Sequence, residues 1–234
     1  MTIKVFSPKW FFQDQLSIED QETTKELFSD FLNNDDNFLN PKGWNCAVKT
    51  SWGHDNNTYE LWQSWLKCIK PTMDRFVQHV GTKCDVDITM ENGWANKYEA
   101  GDYQEIHDHS DSDGTNISMV YFYQLADETD SGFRFYNQEH STIKLLGIDD
   151  VLNTPDEQLT IPKVKDGDIL MFPSHYLHLV SPHKGSKTRI TFSANFKIKP
   201  VPVEEVSTNR HGKDMDIPVS YTHLRAHETS LHIV

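Results

Sequence analysis

The sequence is poor in cysteine, has no long apolar run and is short of basic charge, and each deficit removes a class of protein. Cys46, Cys68 and Cys84 are an odd set with no close pair and no zinc-knuckle spacing, which excludes a disulfide scaffold. They are expected to be reduced thiols in a cytosolic compartment. No stretch approaches the ~20 apolar residues of a membrane helix, and Met1 to Gln15 lacks the basic-then-apolar order of a signal peptide. A soluble cytoplasmic protein is expected, in a host cytoplasm if it is virus-encoded. Lysine and arginine number 22 against 35 acidic residues, a net charge of -13. That balance argues against a broad phosphate-tracking surface and against duplex nucleic acid as a partner. Lys184, Lys187 and Arg189 could still form a local basic patch. With 11 Gly, 10 Pro and 37% hydrophobic residues, collagen-like and disordered readings are excluded and a real core is affordable. Histidine is in excess, at twelve, and the chemistry is sought there.

Residues 1–84 read as helical decoration. Ser17 followed by Asp20 is a capping pattern ahead of Leu27, Phe28, Phe31 and Leu32, which share a helical face. A second helix is expected from about Thr58, with Leu61, Trp62, Trp65, Leu66 and Ile69 at helical spacing. Pro71 should end or kink it, and Gly81 suits a C-cap. Trp44 to Trp52 reads as a strand or an ordered loop. From Asp85 the period becomes two, with Val86, Ile88 and Met90 alternating with polar neighbours. Further strands are expected over Tyr103–His109, Ile117–Leu125, Phe133–Tyr136, Gln158–Ile161, Asp168–Phe172, His175–Val180 and Thr188–Lys199, separated by Asp/Ser/Gly turns. Many short strands without long helices between them predict a mainly β core over 85–200, a sandwich or jelly roll rather than a βαβ sheet. Residues 201–218 form a C-terminal extension. Residues 219–234 resemble a peptide translated from sequencing-adapter DNA, and they are set aside as non-native, with His223, His227 and His232.

On a strand, residues i and i+2 face one side, so His107 and His109 can present two imidazoles to one ion. Imidazole suits iron, zinc, copper and nickel alike, so this pair does not choose a metal. His109 and Asp111 form a second such pair. Asp108 should face the other side. Later, Thr188 to Phe196 alternates strictly: Ile190, Phe192, Ala194 and Phe196 make one face apolar, while Arg189, Thr191, Ser193 and Asn195 share the other. Such a polar face belongs either to a wet edge strand or to a barrel interior. In an interior, the guanidinium of Arg189 requires a carboxylate partner, whose geometry it matches bidentately.

The order Gly101-x-Tyr103, His107-x-His109, Ser118-x-x-Tyr121, Gly167-Asp168, Phe172-Pro-Ser, His178 and Arg189-x-Thr191 resembles the 2-oxoglutarate/Fe(II)-dependent oxygenases. It is most similar to those common in phage and marine bacterial genomes, in which a Trp/Asn segment, here Asn92-Gly-Trp94-Ala-Asn96, precedes the histidines. The resemblance spans roughly Ile88 to Ile198. It implies a double-stranded β-helix supported by N-terminal helices, with Fe(II) as metal, 2-oxoglutarate as cosubstrate and dioxygen as oxidant. His107 becomes the first metal ligand and His178 the distal one. Arg189 would hold the far carboxylate of 2-oxoglutarate, helped by Thr191 or Tyr121. Family members carry His-x-Asp where this chain has His109. Either His109 completes an all-histidine site, favoured by the spacing from Gly101 to His107, or His109, Asp111 and His178 form a two-histidine, one-carboxylate set. Trp94, Tyr98, Tyr123 and Phe135 are candidate pocket walls, and His175, His183 and His140 are assigned no catalytic role.

The activity implied is a dioxygenase, a hydroxylase above all, coupling decarboxylation of 2-oxoglutarate to C–H oxidation of a small molecule or a protein side chain. A non-catalytic metal- or sugar-binding jelly roll (cupin-like) is the alternative, because this architecture hosts many functions. A structural or capsid-associated sandwich is a third.

Overall fold

The computed structural model describes residues 9–53, 58–82, 84–110, 114–126, 131–151 and 157–201, together with two short backbone segments near the C-terminus. The first element is a short edge strand, β1 (Phe12–Gln15), followed by helix α1 (Ile18–Asn33), a 3-10 turn (Asp35–Asn37), β2 (Lys49–Thr50) and helix α2 (Tyr59–Val80). The strands β3 (Val86–Tyr98), β4 (Gln104–His107), β5 (Ile117–Gln124) and β6 (Phe133–Tyr136) come next. Two small helices, α3 (His140–Leu145) and α4 (Ile148–Val151), separate them from β7 (Leu159–Thr160), β8 (Asp168–Pro173), β9 (His178–Val180) and β10 (Arg189–Pro200). A terminal ribbon pairs β11 (Arg225–His227) with β12 (Ser230–His232), within the segment that was set aside on sequence.

The strands form two antiparallel sheets. The larger has the order β1-β8-β5-β10-β3-β2 and the smaller β4-β9-β6-β7. Chain-distant strands are neighbours in both, as in a jelly roll, and a few helices pack on one side. This is the double-stranded β-helix that the sequence led us to expect.

Period-two alternation explains why the larger sheet is buried on both faces. Along β5, Ile117, Met119 and Tyr121 belong to one hydrophobic cluster while Val120 and Phe122 belong to another. Along β8, Ile169 and Met171 go with the first and Leu170 and Phe172 with the second. The first cluster is the helix side, where Phe28 of α1 and Trp62, Trp65 and Ile69 of α2 cover Phe192 and Ala194. The second fills the space between the sheets, with Phe133, Phe135 and Val180 of the smaller sheet.

The helices follow their local chemistry. Ser17 caps α1: its Oγ accepts from the Asp20 backbone N–H at 3.0 Å, as the Ser17/Asp20 pattern predicts. Helix α2 ends at Gly81, whose φ of +70° is the left-handed conformation that glycine adopts without strain, and whose N–H donates to Val77 O. Helix α2 runs through Pro71 as far as Gly81, so the proline does not end it. The proline removes one backbone donor. Trp65, Ile69, Met73 and Phe76, all buried around that turn, tie the helix to the sheet on both sides of the gap.

Candidate metal centre

Strand β10 lies between β3 and β5, so its polar face is not the wet face of an edge strand. Arg189 is completely buried, and Thr191, Ser193 and Asn195 are each 6% exposed. The second of the two readings of this strand, an inward polar face, is the observed one. The proposed basic patch is not formed, because Arg189 lies inside while Lys184 and Lys187 are exposed.

Three histidines converge at one end of this polar face. His107 closes β4, His178 opens β9, and the two are cross-strand partners in the smaller sheet. His109 follows just beyond β4. One ligand nitrogen from each lies within 4.8 Å of the others. Ring centroids are 4.2 Å apart for His107 and His178, 4.9 Å for His109 and His178, and 5.3 Å for His107 and His109. Hydrogen bonds set the tautomers. The Nδ1 of His107 faces Glu105 O at 2.8 Å, that of His178 faces Tyr176 O at 2.9 Å, and that of His109 faces Asn195 Oδ1 at 2.8 Å. A carbonyl oxygen only accepts, so each Nδ1 carries the proton and each Nε2 keeps its lone pair for an ion.

Burial favours the neutral form of His107 and His178. His178 is held well below the ordinary histidine value, by desolvation first and then by the neighbouring His107 and His109. His107 is lowered by desolvation, against the opposing pull of its bond to Glu105 O and the charges of Glu105 and Asp108. A neutral imidazole is the ligating form. The donor set fits a divalent transition metal: three imidazole nitrogens, with the second nitrogen of each ring anchored.

A pocket opens onto the cluster. Trp94, Tyr98, Phe122, Phe133 and Thr191 line it together with the three histidines. Arg189 is cross-strand from Tyr98 and stacks on it, its Cζ 4.6 Å from the ring centre. Its Nη2 donates to Ser181 O at 3.3 Å. Gly132 makes room for the guanidinium: a Cβ there would stand 2.5 Å from Nη1, and its φ is +74°. The Tyr98 hydroxyl donates to Gln104 Oε1 at 3.2 Å, and burial pushes its ionisation far up, against the opposing effect of Arg189.

The sequence-derived candidates divide accordingly. His107, His109 and His178 meet, and Thr191 and Arg189 share the adjacent face. Tyr121 does not. It is the cross-strand partner of Phe192 and points to the helix side, its ring 5.8 Å from Trp65 and 5.7 Å from Phe192, so it cannot reach the pocket. Tyr98, from β3, lines the pocket instead. Of the candidate walls, Trp94 and Tyr98 line the pocket, whereas Tyr123 stacks on Phe192 on the helix side and Phe135 packs between the sheets. Asp111, the alternative carboxylate ligand, lies outside the described residues. His175 is exposed against Tyr176, and His183 is a buried pin whose Nε2 lies 2.6 Å from Lys187 O. Asn195, which sequence reasoning placed only on a polar face, contacts His109 directly. Its position two residues beyond Ser193 on that face was the available signal.

The fold is a double-stranded β-helix, and its three convergent imidazoles beside a buried arginine could hold a metal ion. Residues 92–195, which carry His107, His109, His178 and Arg189, match the family described as "Putative 2OG-Fe(II) oxygenase". That segment, 104 of the 234 residues, is what ties the chain by sequence to this family. Among curated proteins, none matches by sequence. Solved structures share the fold. The epimerase SnoN from nogalamycin biosynthesis superimposes with a TM-score of 0.58 at 10% identity, over 96% of this chain and 93% of that one. A prolyl hydroxylase from Trichoplax adhaerens, in complex with a hypoxia inducible factor peptide fragment, gives 0.53 at 15% identity, over 80% and 83%. HygX from Streptomyces hygroscopicus, with nickel, 2-oxoglutarate and hygromycin B bound, gives 0.51 at 11% identity, over 81% and 83%.

Proposed function

We propose that the protein is a hydroxylase whose Fe(II) is held by His107, His109 and His178, and whose 2-oxoglutarate is gripped at its far carboxylate by Arg189 and Thr191, with Tyr98 stacked under the guanidinium. The observation that carries this reading is the convergence of three imidazoles, each with Nδ1 committed to an acceptor, beside a completely buried arginine. With the metal, 2-oxoglutarate and dioxygen bound, the centre supplies oxidative decarboxylation to succinate and carbon dioxide coupled to oxidation of a substrate C–H bond.

The chain's own residues bind, orient and exclude water. Glu105 O, Tyr176 O and Asn195 Oδ1 fix the ligand rings. Arg189, aligned by its stacking on Tyr98 and its bond to Ser181 O, offers a planar fork to a carboxylate in a site where the charge pair is weakly screened. The Thr191 hydroxyl stands on the same face and can donate a further hydrogen bond. Val120, Phe122, Phe133 and Val180 give the pocket an apolar lining that keeps bulk water from the reacting carbon. Molecules bound by fold neighbours, a peptide fragment in one case and hygromycin B in another, support a protein side chain or a small molecule as the substrate here.

The test is succinate release from 2-oxoglutarate under aerobic conditions with Fe(II). Activity is expected for the wild type and should fall by roughly one to two orders of magnitude in kcat/KM for Arg189→Ala, the scale of losing a charge-assisted hydrogen-bonded pair at about 1.5–3 kcal/mol. Turnover unaffected by Arg189→Ala overturns the cosubstrate assignment. Among the described residues the three-histidine cluster has no carboxylate, which favours one other reading, a metal-holding jelly roll without turnover. It is preferred if the protein binds metal tightly and releases no succinate.

A further inference from the structure

The third histidine is held differently from the other two. His107 and His178 sit on paired strands, whereas His109 lies beyond the last residue of β4, where the ladder has ended. Two contacts do the work of a ladder. Its backbone N–H donates to Ser174 O at 2.9 Å, and its Nδ1–H donates to Asn195 Oδ1 at 2.8 Å. The carboxamide is itself locked from behind. Ser118 Oγ lies 2.9 Å from Asn195 Oδ1 and 2.9 Å from Ser174 Oγ. One hydroxyl has one proton, so Ser118 donates to Asn195 and accepts from Ser174. In this orientation Asn195 Oδ1 accepts from both Ser118 Oγ and His109 Nδ1. Ser118 is fully buried and Ser174 is 2% exposed, so water cannot substitute for the missing bonds.

The backbone also marks this position. Asn195 pairs with Asn92 and Phe196 pairs with Met90, which leaves Glu91 over and places a bulge in the β3–β10 ladder beside Asn195. Bulges re-aim side chains next to functional sites.

We propose that Asn195 is the positioning residue of the metal centre: its carboxamide oxygen holds His109 as the Nδ1–H tautomer and turns Nε2 toward His107 and His178. This rests on the all-histidine reading above. A neutral acceptor suits the position, since it fixes the tautomer without adding another buried charge to a cluster that binds a cation. Asp at this position would retain the acceptor; Ala would remove it and leave Ser118 without its acceptor.

The experiment is titration of the metal-free full chain with Co(II), followed by its visible spectrum, for wild type, Asn195→Ala, Asn195→Asp and His109→Ala. Asn195→Ala is expected to weaken Co(II) binding by about 10–100-fold and to change the spectrum, while Asn195→Asp keeps the wild-type spectrum and stays within a few-fold in affinity. Wild-type affinity and spectrum in Asn195→Ala overturn the proposal if His109→Ala is impaired. If His109→Ala binds Co(II) as the wild type does, the all-histidine reading itself has failed. Should Asn195→Ala not fold, long-range proton–nitrogen correlation on the wild-type apo protein decides the matter. The Nδ1–H tautomer at His109 supports the proposal, and the Nε2–H tautomer overturns it.

Discussion

Gly132 shows how much of the site depends on atoms that are missing. Its absent Cβ is what lets the Arg189 guanidinium lie against the chain at Ser181. Gly132→Ala should displace that guanidinium and strain a backbone at positive φ, raising the KM for 2-oxoglutarate by about tenfold or more, a loss of roughly 1.4 kcal/mol in ground-state binding. Steady-state kinetics with varied 2-oxoglutarate measures this, and an unchanged KM would separate Gly132 from cosubstrate binding. The cysteines give a second test at this scale. Burial pushes the Cys46 thiol up to about 11, with Glu105 adding to the shift and a Val48 backbone bond opposing it, while Cys84 is exposed. Alkylation at pH 8 followed by peptide mass mapping should modify Cys84 quickly and Cys46 slowly, because the thiolate is the reactive form. Equal rates would contradict the burial of Cys46.

At the scale of elements, the helices exist to cover one face of the larger sheet. Phe192 carries much of that packing, its ring lying 4.5 Å from Phe28, 5.7 Å from Trp62 and 5.6 Å from Trp65. Phe192→Ala should destabilise the protein by about 3–5 kcal/mol, and Ser17→Ala, which removes one cap, by about 1 kcal/mol, both measured by urea unfolding. Similar losses in the two would mean that α1 and α2 are not packed as described. Strongly alternating strands were legible in the sequence: β5, β8 and β10 lie within two residues of their expected limits. β1 was not legible, because Phe12 is the only apolar residue among its four and its pairing with β8 is long-range. Helix α3 has no buried residue and hence no apolar period to read. Tyr121 was misplaced for a related reason. Alternation says that Tyr121 and Val120 face opposite ways, but which face is the pocket depends on the β5–β10 register, and only the fold supplies that.

Across the whole molecule, the metal centre and the stability of the chain are linked. Burial holds His107 and His178 below the ordinary histidine value of 6.5, and the unfolded chain titrates near that value. The unfolded state thus takes up protons that the folded state refuses. The stability these groups contribute is present above about pH 6.5 and is lost as the pH falls below it toward the lower folded values. Urea unfolding of the metal-free protein should show stability dropping from pH 7.5 to pH 5, with a smaller drop in His178→Phe. A binding metal adds stability by mass action, about 2.7 kcal/mol at a free concentration one hundred times its Kd. The i, i+2 histidine pair was visible in the sequence from strand geometry. The arrival of His178, 69 residues after His109, needed the family resemblance. Tyr98 was legible only as a candidate pocket wall, and its stacking under Arg189 needed the β3–β10 register. No helix among the described residues is long and apolar enough to cross a membrane.

The most direct measurement is X-ray absorption on the Fe(II)-loaded protein without 2-oxoglutarate, counting imidazoles around the metal. The account predicts one iron per chain with three imidazole ligands, falling to two in His109→Ala. Two imidazoles and a protein carboxylate in the wild type would contradict it.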